Sequence, residues 1–310
     1  MCYNPYKQAK SRFCEVIRLN LTSPSELKEI LKRHGFSFSK SLGQNFLIDK
    51  NVLDKIVDAS GACGEINALE IGPGAGTLSR ELAARAKRLV AVEIDKALIP
   101  VLSETMAEFD NFTLINADIM DVDIAALVEE QFGGEPFIVA ANLPYYITTP
   151  IIMSLLESGA DVRSMTLMVQ KEVALRMAAG VGKDYGALSV AVQYYTRPEI
   201  VCRAEPHCFM PQPKVASVAI KLDVLKEPAV KGKDTDVFFK VVKSAFGQRR
   251  KTLVNSLAGS PYIKIEKAAI ISMLDEMGLR PDIRGEKLSI EQFAELSDRC
   301  AEYRAASGEE

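Results

Sequence analysis

Five short apolar stretches recur between residues 67 and 170: "NALEIG" (67–72), "RLVAVEI" (88–94), "FTLINAD" (112–118), "PFIVAAN" (136–142) and "SMTLMVQ" (164–170). A helical pattern follows each of them. Continuous apolar runs, rather than alternating ones, fit strands buried on both faces, and intervening helices are what covers those faces. The pattern predicts an α/β fold built on a Rossmann-like, mostly parallel sheet. From about residue 188, "LSVAVQYYTRPEIVCRAE" and "KVASVAIKLDV" read as antiparallel strands closing the sheet edge. The polar stretch "LKEPAVKGKDTD" (225–236) reads as a boundary, and beyond it the periodicity is purely helical. The expected organisation is therefore an extension of unassigned role over 1–20, a sheet domain over 21–225 and a smaller all-helical domain over 226–310. Two helix starts are explicit. Ser23, Pro24 and Glu26 form an N-cap with a capping box, ending before Gly35, and Ser289 with Gln292 forms another.

Composition narrows the function classes. No apolar run reaches the roughly 18 residues of a membrane span, and residues 1–20 lack the h-region of a signal peptide. The six cysteines are scattered without a CxxC pair, which fits reduced cytosolic thiols. His207 beside Cys208, with Cys202 nearby, is a faint metal hint, and no metal is expected. Only two histidines occur, which disfavours histidine catalysis. The net charge of −3 argues against a uniformly basic coat. Yet residues 1–50 hold nine Lys/Arg against four acids, and 237–257 holds five Lys/Arg and no acid. The second segment nominates Lys243, Arg249, Arg250 and Lys251 as phosphate contacts; solvated helix faces would look the same.

"EIGPGAG" (70–76) joins the first apolar strand to its helix. Gly72, Gly74 and Gly76 permit positive φ and close approach of a ligand. A dinucleotide fingerprint would want glycine at Thr77. The G-x-G-x-G found here resembles Rossmann-like enzymes that use S-adenosylmethionine. Glu93 ends the next strand, where a carboxylate can accept from a ribose diol. Asp118 ends the third and can accept from an adenine amine, with Ile119 covering the ring. Each acid could equally be a helix N-cap, and the turn could form without a ligand. Three ligand-type positions at successive strand ends nonetheless coincide with the binding edge of open α/β sheets.

Asn142 ends the fourth strand and opens "NLPYY" (142–146). An exocyclic adenine amine is a poor nucleophile, because its lone pair is delocalised into the ring. Acceptors for both amine hydrogens would pull it towards tetrahedral geometry. Asn142 offers a side-chain carbonyl, and Pro144 restricts Leu143 so that its carbonyl can be the second acceptor. Tyr145 offers a face for an extruded base. A turn with Tyr145 in the core is the competing reading.

"NLPY" resembles the signature of the ribosomal RNA adenine dimethyltransferases. "LGQNFLID" (42–49), "EIGPGAGTLS", "VEID", "NAD", "QKEVALRM", "YGALSV" and "FMPQPKVASVAIKL" (209–222) agree in order and spacing, across essentially residues 36–300. "IRGEKLSIEQFAEL" is similar to the small-subunit branch. The resemblance implies a methyltransferase sheet domain, an RNA-binding helical domain and S-adenosylmethionine as cofactor. It implies dimethylation of two adjacent adenosines in the 3′-terminal small-subunit rRNA hairpin, within an immature 30S particle, by a cytoplasmic monomer without membrane contact. Carried over, Gln44, Asn45 and Leu47 would close over the methionine end and Phe209 would stack on the target base opposite Tyr145. Within the family, the alternative is a large-subunit dimethyltransferase of the macrolide-resistance type. A role as an assembly checkpoint is a binding alternative, and a nicotinamide dehydrogenase is disfavoured by the glycine spacing.

Overall fold

A computed structural model describes residues 19–39, 42–145, 147–248 and 250–307. The extension at 1–20 therefore lies outside the described residues except for Leu19 and Asn20, and Arg249 lies outside them too. In chain order the elements are α1 (Pro24–Arg33), β1 (Phe46–Leu47), α2 (Lys50–Ser60), β2 (Asn67–Ile71), α3 (Thr77–Ala83), β3 (Arg88–Glu93) and α4 (Ile99–Thr105). There follow β4 (Phe112–Asn116), α5 (Ile124–Phe132), β5 (Phe137–Asn142), α6 (Thr148–Glu157), β6 (Val162–Gln170), α7 (Lys171–Met177) and α8 (Ala187–Tyr195). The chain continues with β7 (Thr196–Ala204), β8 (Phe209–Met210), β9 (Ser217–Val224), α9 (Thr235–Gly247), α10 (Leu253–Ala258), α11 (Lys267–Glu276) and α12 (Ile290–Ser307).

The main sheet has the order β4-β3-β2-β5-β6-β9-β7. The first five strands of that order are parallel, and β9 pairs antiparallel with both β6 and the edge strand β7. Side chains alternate between two cores, as the two-residue period of a strand demands. Ala68, Ile138 and Ala140 pack with α1–α4 on one face, through Leu27, Leu53, Ile56, Leu82 and Val101. Leu69, Ile71, Val139 and Ala141 pack with α5–α7 on the other, through Leu127, Ile152, Leu155 and Met177. A third core joins α9–α12 through Phe238, Leu257, Ile270 and Phe293, and it draws Tyr185, Val190 and Tyr194 from around α8.

Two local expectations change. The stretch from 188 read as a strand, but Ala187–Tyr195 is a helix and only Thr196–Ala204 is strand. Val190 and Val192 favour strand locally, but packing of this segment against α7 and α9 overrides that preference. The helix start is fixed by Ser189, whose hydroxyl accepts from the Gly186 N–H (3.0 Å). At α1, Ser23 Oγ accepts from the Glu26 N–H (3.5 Å), but Glu26 reaches back to the Asn20 N–H (3.0 Å) rather than to Ser23. The box at α12 is reciprocal: Ser289 N–H to Gln292 Oε1 (3.0 Å) and Gln292 N–H to Ser289 Oγ (3.3 Å). No helix among the described residues is long and apolar enough to cross a membrane.

Candidate active site

The carboxyl ends of β2, β3 and β5 open into a cleft roofed by residues 42–47. A smaller lobe adjoins it at Gly72, Ile94 and Pro144 and is lined by Asp118 and Ile119. Of the residues read from sequence, Gln44, Asn45, Leu47, Gly72, Gly74, Glu93, Asn142, Leu143, Pro144 and Tyr145 line the main cleft. Gly76 and Phe209 line neither lobe.

The glycine turn needs its glycines for two different reasons. Gly72 and Gly74 have φ of 67° and 61°, and a Cβ on Gly74 would sit 2.9 Å from the Phe46 ring. Gly74 therefore lets β1 close onto the turn. Gly76 (φ 93°) is the N-cap of α3, and its Cβ would meet Thr105 Oγ1 at 2.9 Å. Its service is to the packing of α3 on α4.

Glu93 is buried, and burial pushes its carboxyl above the usual range. The Asp95 N–H (2.8 Å) and the Gly74 N–H (3.1 Å) donate to its two oxygens and oppose that shift. It thereby ties the glycine turn to the end of β3 while retaining lone pairs for a diol. Asp118 is a turn N-cap and stands at the rim where an adenine acceptor is expected. One oxygen caps a short 3-10 turn through the Met120 N–H (2.9 Å), and the residue also lines the smaller lobe beside Ile119. Gln44 donates from Nε2 to Asp95 Oδ2 (2.6 Å), clipping the roof onto β3.

Asn142 Nδ2 donates to the Asn45 backbone carbonyl (2.7 Å). A carbonyl can only accept, so this contact fixes which end of the amide is nitrogen. Asn142 Oδ1 is left as an acceptor in the cleft. The next peptide is pinned by the Leu143 N–H to the Met168 carbonyl (3.1 Å), with the Leu143 side chain buried. Tyr145 is half-buried, its hydroxyl paired with Ser217 Oγ (2.8 Å), and burial raises its pKa.

Phe209 is 2 % exposed and belongs to the core beneath the roof. It sits opposite Leu47 in the β1–β8 pair. The plain-core reading describes it in this conformation, and stacking opposite Tyr145 would require the ring to leave that core. Lys243 is exposed and lies 4.1 Å over the Tyr262 ring. Arg250 and Lys251 are exposed after α9, with no acidic partner within 4 Å among the described residues. Near the faint metal hint, the structure groups Asp49, His207 and Cys208 within 4.8 Å, without Cys202. Asp49 is already engaged as the N-cap of α2 through the Val52 N–H (3.0 Å).

Sequence reasoning passed over Glu70. It lines the cleft at 1 % exposure, and burial pushes its carboxyl up to about 8. The signal was an acid inside a strand otherwise buried, which calls for a reason. The cleft as a whole fits S-adenosylmethionine. It offers acceptors for a ribose and an adenine amine, a buried acid for a cationic end, and a glycine turn for close approach.

A family model described as ribosomal RNA adenine dimethylase matches residues 35–302. The chain is 49 % identical over 282 residues to the ribosomal RNA small subunit methyltransferase A of Alkaliphilus oremlandii, covering 91 % of this chain and 98 % of that one. It is 50 % identical to the protein of that name from Geobacillus thermodenitrificans, covering 90 % and 96 %. Among solved structures, a 23S rRNA methyltransferase is similar at 27 % identity and TM-score 0.66, over 83 % of this chain and all of that one. A dimethyladenosine transferase from Plasmodium falciparum shares the fold at 24 % identity and TM-score 0.69, over 85 % and 98 %.

Proposed function

The chain belongs to the ribosomal RNA adenine dimethylase family, and from that premise we propose how its cleft works and where its product lies. It is an S-adenosylmethionine-dependent rRNA adenine-N6,N6-dimethyltransferase of the small-subunit type. The relatives near half identity carry the small-subunit name, whereas the large-subunit neighbour stands at 27 %. The target we propose is two adjacent adenosines in the 3′-terminal hairpin of small-subunit rRNA. The working form is a cytoplasmic monomer acting on an immature 30S particle.

The observation that carries the mechanism is the Asn142 amide, held at 2.7 Å by the Asn45 carbonyl. When bound, S-adenosylmethionine supplies a methyl group on a sulfonium. Glu93 accepts from the ribose diol, and Asp118 accepts from the adenine amine with Ile119 against the ring. Gln44, Asn45 and Leu47 close the roof over the amino-acid end. Asn142 Oδ1 and the Leu143 carbonyl accept the two hydrogens of the target amine, drawing its lone pair out of the ring. The Tyr145 ring face supports the extruded base. No general base is required, since the methylated amine is acidic enough to lose its proton to water. Catalysis then rests on positioning and on acceptors set before the reaction. Lys243, Arg249, Arg250 and Lys251 track RNA phosphates.

The proposal is tested by incubating the protein and cofactor with separated, unmethylated ribosomal subunits and mapping dimethyladenosine by reverse-transcription arrest. Arrest at adjacent adenosines near the small-subunit 3′ end is expected. Arrest in large-subunit rRNA alone would replace this reading with the macrolide-resistance one.

A further inference from the structure

Glu70 lines the cleft with its carboxyl incompletely paired. Its Oε2 has no hydrogen-bond partner, and neither do the buried hydroxyls of Thr77 and Ser79 at the start of α3. Thr77 lines the cleft with it. Ser79 Oγ lies close enough to influence the carboxyl without hydrogen-bond geometry. Buried polar atoms left open in this way point to a ligand that completes them.

Two carboxylates share the cleft, and their environments differ. Glu93, from β3, has both oxygens held by backbone N–H groups. Glu70, from β2, has no such donor and feels the Glu93 charge across the cleft. Tyr145 is the remaining titratable lining residue, and no Lys, Arg or His lines the cleft among the described residues. Around Glu70, α2 contributes Ile56 and β5 contributes Ala141 to the same cleft. On α3, Arg80 is turned away to the Thr105 carbonyl and Glu108. Burial raises both carboxyls, but the backbone donors oppose that shift at Glu93, whereas Glu70 has none and its carboxyl is pushed up to about 8. Two acids in such different environments can take distinct roles.

Strand order says which part of the cofactor meets Glu70. Across the sheet, β4, β3, β2 and β5 present Asp118, Glu93, Glu70 and Asn142 in series. With adenine at Asp118, ribose at Glu93 and the target amine at Asn142, the amino-acid end lies over β2. That end carries an α-ammonium. We infer that Glu70 is a proton-linked positioning group, releasing its carboxyl proton to solvent as the ammonium docks and facing it as a carboxylate. This inference rests on the cofactor reading of the cleft. The exchange balances: one O–H bond breaks, the proton leaves to buffer, and the ammonium keeps its own protons.

Calorimetry of S-adenosylmethionine binding at pH 7 in phosphate and in Tris counts the protons exchanged. Wild type should release close to one proton more than Glu70→Gln. The cofactor's amino group itself titrates near 8, but its contribution is common to both proteins and cancels in the difference. Wild-type affinity should tighten by up to about tenfold per pH unit between pH 6 and 8, and the variant's should not. Methylthioadenosine, which lacks the amino-acid end, should bind wild type without releasing a proton. That arm keeps the test open if Glu70→Gln fails to fold. Equal proton counts for the two proteins, or for the two ligands on wild type, would overturn the inference. Failure of wild type to bind S-adenosylmethionine would instead remove the cofactor reading beneath it.

Discussion

Phe209→Ala separates a core residue from a base-stacking one. The ring is 2 % exposed, sits opposite Leu47 in the β1–β8 pair and packs in the core that includes Phe46, Val52 and Ile56. Truncating a phenylalanine buried to that degree leaves a cavity that its neighbours fill only partly, at a cost of about 3–5 kcal/mol. Phe209→Leu keeps most of the volume and should cost less than about 1.5 kcal/mol. Because β1 carries the cleft roof, the Ala variant should also loosen cofactor binding, and the Leu variant should largely keep it. If the ring only stacked on the base, stability would hold and RNA affinity would fall by about 1–3 kcal/mol. Urea denaturation of the cofactor-free protein, paired with RNA binding, reads both quantities. A Phe209→Ala protein as stable as wild type but poor in RNA binding would refute the core assignment and restore the stacking one.

Glu93→Ala should weaken S-adenosylmethionine binding by about 2–3 kcal/mol through loss of charge-assisted contacts; calorimetry showing unchanged affinity would remove Glu93 from the site. Neutralising Arg249, Arg250 and Lys251 together should lower the salt slope of RNA binding by about two to three phosphate contacts and leave cofactor affinity alone. A slope equal to wild type would make them solvated charges. For Glu70 the raised carboxyl means that the neutral acid stabilises the cofactor-free fold below its unfolded value near 4.5, and this contribution is lost as pH rises through about 8. Glu70→Gln should therefore gain on wild type in urea midpoints between pH 5 and 8, and parallel curves would contradict the shift.

The parallel strands were legible because burial on both faces leaves unbroken apolar runs, as in "FIVAAN". The ligand-type residues at their ends followed from the same rule of α/β sheets. Helix α8 was not legible, because Val190 and Val192 favour strand until α7 and α9 supply a surface. Phe209 was expected to stack on the base from its motif, which says nothing of burial; its 2 % exposure beneath the roof depends on tertiary packing that no local pattern contains. The bond that orients Asn142 joins residues 97 apart in sequence, so no local pattern could contain it. Glu70 stood in the open as an acid in a buried strand, but its unpaired oxygen, on which the inference of a ligand contact rests, is visible only in the structure.

The most direct test is single-turnover methyl transfer by Asn142→Ala on the small-subunit particle, with RNA and cofactor affinities measured alongside. In the proposed mechanism the Asn142 carbonyl acts on the amine in the transition state more than in the bound ground state. Its loss should cut transfer by a factor of roughly 100 or more while changing RNA affinity little, as for a deleted oxyanion-type contact. Tyr145→Phe should retain much of the rate, since it keeps the ring face and gives up only the hydroxyl contact to Ser217. Near-wild-type turnover by Asn142→Ala would contradict the account and leave NLPYY a turn at the end of a strand.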